Sequence, residues 1–135
     1  MNIDRFTKKS GEAIQDAQKL AMDYGNQEIT QEHLLLALLN QEDGLIPKLI
    51  QKMEIDLTYF TNDITSMVQN LPKVQGSKVQ VYISNDLNEA LMHGEDEAKR
   101  MGDEYVSVEH LFLSMLAHPS TSMKQKFREF GITRE

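Results

Sequence analysis

The sequence predicts an all-α fold, a pseudo-twofold duplication of a four-helix repeat with the last helix of the second repeat truncated. Three observations predict it. Sliding the 135-residue chain along itself by 77 positions aligns Thr7 to Leu39 with Ser84 to Leu116, with nine identities counted among the 33 pairs. Hydroxyl residues that start helices and glycines that end them recur at that offset. Between them the apolar residues keep three-four spacing. The chain reads as a single domain 1–135, with repeat one 1–71, a linker 72–83 and repeat two 84–135.

Thr7 and Ser84 open the first helix of each repeat, where a hydroxyl satisfies a free first-turn amide, and Gly25 and Gly102 fall where a left-handed residue closes it. Ala13, Ala17, Leu20, Ala21 and Tyr24 form its inner face, and the small residues imply close packing. Thr30 and Ser107 cap the second helix, with Ile29 and Leu34, or Val106 and Leu111, at the positions of a hydrophobic staple. LLLALL is apolar nearly all round, so this helix is expected at the buried centre of its repeat. After a turn at Gln41 to Gly44, Leu45, Leu49, Ile50 and Met53 are expected on one face of a third helix, with Pro47 in its first turn. Asp56 caps a fourth, with Leu57, Phe60, Ile64, Met67, Val68 and Leu71 at helical spacing, and Pro72 stops it. The alternation in KVQVYI allows a short extended piece but no sheet. Repeat two runs on through MKQKFREF, and Thr133 takes the place of Asp56, so a fourth helix is expected to start there in a longer chain.

Charge and composition narrow the functions. The net charge is −7, and the 14 Lys and Arg are scattered, which argues against nucleic acid as a partner and for a basic protein or cationic peptide. With no cysteine, thiolate zinc sites, disulfides and cysteine nucleophiles are excluded. No apolar run approaches the ~18 residues of a membrane span, and no signal-peptide core opens the chain, so no membrane partner and a cytoplasmic location are expected. Phosphate-loop, nucleophile-elbow, HExxH and dinucleotide motifs are all missing, so an isolated enzyme is not expected.

Two matched Glu-His pairs remain, Glu32 with His33 and Glu109 with His110. The acids suit the positive end of a helix dipole, and the histidines, third in their helices, suit a cap; a metal centre would need more ligands than these. A hydroxyl and a carboxylate at helix starts, Thr7 and Ser84 beside Glu32 and Glu109, could instead hold a peptide backbone or a guanidinium, while free amides suit an anion. An apolar seam between the repeats is the other candidate, with Leu87, Leu91, Met92, Val106 and His110 near it in repeat two.

The doubled starts QEHLLLALLNQEDGLIPKLI and VEHLFLSMLA, with DRFTKKSGEAIQDAQ and LPKVQGS, resemble the Clp repeat N-terminal domain of AAA+ unfoldases, in particular ClpB-type disaggregases. The resemblance spans essentially the whole chain. It implies two four-helix repeats, tethered ahead of two ATPase modules in a hexamer, that engage unfolded or aggregated polypeptide weakly and pass it to the central pore. It also implies substrate-handling roles for Thr7, Ser84, Asp103 and Glu109 and a peptide groove near Leu91, His93 and His110, with Glu32 and His33 as a possible symmetric second site. Two of the groove positions, often apolar in relatives, are His here. No cofactor is implied for this domain, since ATP and Mg belong to the ATPase modules. A ClpC-like role in adaptor docking or phosphoarginine binding is the competing implication, and the starts TQEH and SVEH, where such relatives show GTEH, tilt against it. From other classes, an enzyme or metal protein using the Glu-His pairs and a purely structural module stay open.

Overall fold

Two central helices organise this fold, the first wholly buried and the second buried along most of its length. The structure, a computed structural model, describes residues 3–74 and 80–133. A 3₁₀ turn, Ile3–Arg5, leads into α1 (Lys8–Asp23), β1 (Glu28–Ile29), α2 (Gln31–Leu39), α3 (Leu45–Lys52) and α4 (Leu57–Gln69). Then come β2 (Tyr82–Ile83), α5 (Asn85–Arg100), α6 (Val108–Ala117) and α7 (Thr121–Phe130). Adding 77 to the bounds of α1 gives those of α5, and α2 and α6 start 77 residues apart.

The expected punctuation operates. Thr7 and Ser84 accept the amides of Ser10 and Leu87, and Gly25 and Gly102 follow the first helices with φ of +73° and +74°. Asp56 accepts from the Tyr59 amide at the start of α4. All nine residues of α2 are buried. Ala13, Ala17 and Ala21, each no more than 1% exposed, are the face of α1 on the core, and their small size lets α1 lie close to α2. Phe60, Ile64 and Val68 bury the inner stripe of α4 over α2. Phe130 of α7 meets Phe60 edge-on at 4.8 Å, and Lys126 reaches Asp63 at 2.7 Å, so α7 of repeat two clasps α4 of repeat one.

The halves are joined by reciprocal main-chain bonds. The Thr7 amide donates to the Val106 carbonyl and the Ser84 amide to the Ile29 carbonyl, each at 3.0 Å. Phe6 bridges Val106, as Ile83 pairs with Ile29, both in parallel sense. Each contact is the other moved by 77 residues, as an internal twofold requires.

Two expectations need correction. The extended piece at Tyr82–Ile83 does pair, with β1, making a two-stranded parallel sheet where none was expected; its partner lies in the other repeat, beyond the reach of local spacing. In α3 the buried stripe is Ile46 and Ile50, whereas Leu45 and Met53 are 42% and 37% exposed, because Leu45 is the first residue of the helix and Met53 lies past its end. Thr133 is described and non-helical, and the helix expected to start there lies outside the described residues. Leu113 and Leu116 are half-buried, whereas Leu36 and Leu39, 77 residues earlier, are 3% and 6% exposed. Leu113 and Leu116 floor an open apolar groove along α6.

Filling the α1–α2 contact tests the small-residue face. Ala17→Leu is expected to lower the unfolding free energy in urea by about 1–3 kcal/mol through overpacking, while Gln18→Leu on the exposed face stays within about 0.5 kcal/mol.

Candidate functional site

A helix that begins inside a protein must find partners there for its first amides. In α2 the Thr30 N–H donates to Nδ1 of His33 at 2.9 Å, the histidine taking the place that Glu or Gln holds in a capping box. Nδ1 is therefore an acceptor, and the ring proton sits on Nε2, which donates to Asn26 Oδ1 at 2.9 Å. In α6 the same relay runs from the Ser107 N–H to His110 Nδ1 at 2.8 Å and from Nε2 to Asp103 Oδ2 at 2.8 Å. Ser107, His110 and Asp103 have the order of a hydrolase triad, but the imidazole nitrogen facing the hydroxyl already accepts a main-chain N–H. The same arrangement with Asn26 in repeat one marks it as a cap.

Burial holds the His33 imidazole neutral down to about pH 4, against an ordinary 6.5. No cluster of three or more potential metal ligands occurs among the described residues. His33 and His110, 0% and 2% exposed, support the helix starts from within.

The acid between them is different. Glu32 is 4% exposed, and loss of water raises its pKa; nearby Asp86 raises it further, while its own amide and the Ser122 hydroxyl, 3.4 Å away, oppose this. Gln31 fixes the surroundings: its Nε2 donates to the carbonyls of Asp86 and His118, both at 3.0 Å, and its Oε1 accepts the Ser120 amide at 2.9 Å. The starts of α2, α5 and α7 thus converge on a buried carboxylate, with α2 from one repeat and the other two from its partner. The counterpart Glu109 is half-buried and opens onto the α6 groove, a cavity of about 150 Å³ shared with Leu49, Met53, Leu113 and Leu116.

The remaining sequence candidates divide. Thr7 is half-buried and Ser84 8% exposed, each engaged as a cap. Leu91 is 0% exposed and packs in the core; helical spacing placed it on the inner face of α5, so it offers a ligand no surface. Leu87 and Val106 are core as well, and of the expected seam residues Met92 alone is well exposed, at 56%. His93 is partly exposed, with Glu89 at 3.4 Å and Asp96 at 3.1 Å, and stacks on His118 with ring centres 3.8 Å apart. Asp103 is half exposed. Sequence reasoning overlooked Asn26, whose alignment with Asp103 just after the left-handed glycines was the available signal.

A helical duplication with histidine-capped central helices is the class of domain that this fold and site define. Residues 5–130 match the Clp repeat (R) N-terminal domain family, and the chain belongs to it. It is 40% identical over 139 residues to the chaperone protein ClpB of Nitratidesulfovibrio vulgaris and 37% identical over 138 residues to that of Clostridium tetani. Each match takes in 100% of this chain and 16% of the relative. Among solved structures, the Hsp104 N-terminal domain from Candida albicans superposes with a TM-score of 0.84 at 20% identity, covering 96% of this chain and 83% of that one. A ClpV N-domain in complex with a VipB peptide superposes with a TM-score of 0.74 at 18% identity, covering 98% and 81%. These structures establish the fold, and the chain spans about one sixth of the length of the curated ClpB relatives it matches.

Two titrations test these assignments. His33 contributes fully above pH 6.5, where folded and unfolded states are both neutral, and its contribution is lost as pH falls from 6.5 towards 4. Urea unfolding is expected to show about 1 kcal/mol less stability at pH 5.5 than at 7 from this group, a slope absent in His33→Gln. For Glu32 the sign is opposite: the fold favours its protonated form, so stability is present below its raised pKa and lost as pH rises through it. Glu32→Gln is expected to unfold at higher urea than the parent at pH 7, with the gap closing in acid.

Proposed function

We propose that this domain recruits unfolded or aggregated polypeptide for a ClpB-like, ATP-dependent disaggregase, holding it weakly and delivering it to the AAA+ pore. The observation that carries this reading is the groove along α6. Leu113 and Leu116 lie half-buried beside Leu49 and Met53, with Glu109 at the rim, and Lys124 and Arg128 of α7 line the adjoining depression, which shares Leu116. Such a surface accepts an apolar stretch of any sequence and lets flanking charges of either sign find a partner, as a receptor for varied clients requires. A client bound too tightly could not be passed on, so an affinity of micromolar or weaker suits the task, about −8 kcal/mol at most.

Thr7, Ser84, Asp103 and Glu109 serve in this reading as the polar groups that handle the substrate, with His93 at the surface, while His110, 2% exposed, supports the start of α6 from beneath. Leu91 acts through packing. ATP, Mg and hexamer assembly belong to modules of the parent chain, and the setting is the cytoplasm.

A ClpC-like reading, adaptor docking or phosphoarginine binding, draws on a separate observation: the convergence of three helix starts on Glu32. A ClpV N-domain solved with a peptide shows that the fold can take a defined partner. Phosphoarginine saturating two equivalent sites, at Glu32 and Glu109, would put this reading first.

Titration with a permanently unfolded client decides the leading reading. Amide shifts are expected at Glu109, Leu113 and Leu116, and Leu116→Ser is expected to weaken binding about three- to tenfold. Client binding that leaves the α6 amides unmoved would remove the reading.

A further inference from the structure

The small sheet that joins the repeats has an open edge at Ile83. The Tyr82 N–H donates to the Gln27 carbonyl and the Ser84 N–H to the Ile29 carbonyl, each at 3.0 Å. A strand turns successive residues to opposite edges, so Ile83, between these two, points its main-chain N–H and C=O away from β1. Among the described residues neither group has a hydrogen-bond partner. Tyr82 is 50% and Ile83 37% exposed, which puts this edge in water. The twofold counterpart of Ile83 is different: Phe6 follows directly on the 3₁₀ turn and is 8% exposed.

Edges of natural sheets are guarded by a charge, a proline or a bulge, because bare main-chain groups template the addition of another strand. The β1 side of this sheet carries the charge of Glu28. The β2 side has no such guard: Val81, Tyr82 and Ile83 are uncharged residues of the β-branched and aromatic types that favour strands. Its groups define what would fill it. One donor and one acceptor on a single extended residue are met together by the C=O and N–H of one residue in an antiparallel strand. A folded partner or a second copy of this chain needs roughly 1,200 Å² of buried surface for stable association, more than an edge with two exposed residues supplies. A flexible extended segment needs far less. Its side chains can rest on the ring of Tyr82, whose hydroxyl donates to Glu28 at 3.2 Å and so holds the ring beside the edge.

We infer that the Ile83 edge of β2 is a docking site for an extended segment of non-native polypeptide, bound by strand addition through main-chain hydrogen bonds. Recognition is of the backbone, so any sequence without proline at the paired residue fits, and β-branched residues fit best. The inference deepens the recruiting role and rests on that reading for its purpose, but the site is its own, since no residue of β2 lines the α6 groove.

The probe is the blocked hexapeptide Gln-Thr-Val-Thr-Val-Gln, with a fully N-methylated copy that keeps the side chains and loses every main-chain donor. Titrated into the whole domain, the first is expected to shift the Ile83 amide saturably and slow its hydrogen exchange, and the second to bind about tenfold more weakly. Ile83→Pro deletes the donor of the edge and spares the ladder, in which the Ile83 N–H takes no part; it is expected to weaken the peptide about tenfold. Ile83→Thr keeps the main chain and is expected to bind within about twofold of the parent. Equal binding of the methylated peptide, or a folded I83P domain that binds as the parent does, would overturn the inference. So would an Ile83 amide that shifts with domain concentration and not with peptide, which gives the edge to a second copy. An unfolded client that shifts the α6 amides and leaves Ile83 unmoved overturns this inference and keeps the recruiting role; one that shifts Ile83 alone keeps this site and removes the α6 reading.

Discussion

Everything in this fold depends on starting two helices where there is no water. A helix start on a surface can leave its first amides to solvent, but α2 and α6 begin in the core and must be supplied from within. A neutral imidazole meets the need because it accepts at one nitrogen and donates at the other, linking the cap to an Asx residue just beyond the preceding helix. An ionised Glu at the same position would reach the amide but has no donor with which to extend the relay. The relay ties the start of the second helix to the residue just beyond the first in each repeat, with Glu32 and Glu109 beside it in the first turn.

Duplication then creates two environments from one plan. Glu32 is enclosed by helix starts of the other repeat, whereas Glu109 opens onto a groove. Asn26 secures a passing strand, while Asp103 faces water. A symmetric scaffold with asymmetric decoration presents several distinct surfaces within one fold.

Much of this was legible in the residues. Thr7, Ser84, Gly25 and Gly102 mark their helices because capping and left-handed geometry are local and depend on few neighbours. LLLALL announces its own burial. The histidine caps were legible too, since a titratable side chain repeated at the third helical position has a short-range reason to be there. What escaped depends on partners distant in sequence. The β1–β2 pairing joins residues 54 apart, and Leu91 has the pattern of a groove residue and of a core residue alike. Ile46 in place of Leu45 followed from where α3 begins, a boundary that spacing alone does not fix to one residue.

The crossed main-chain pairings carry a consequence for how such a molecule arose. Phe6 meets Val106 and Ile29 meets Ile83, so each half offers the complement that the other half lacks. A single ancestral unit would have carried both complements at once, and two identical copies could have closed on each other as a homodimer before fusion placed them on one polypeptide. Held on one polypeptide, the two halves associate intramolecularly, independent of protein concentration.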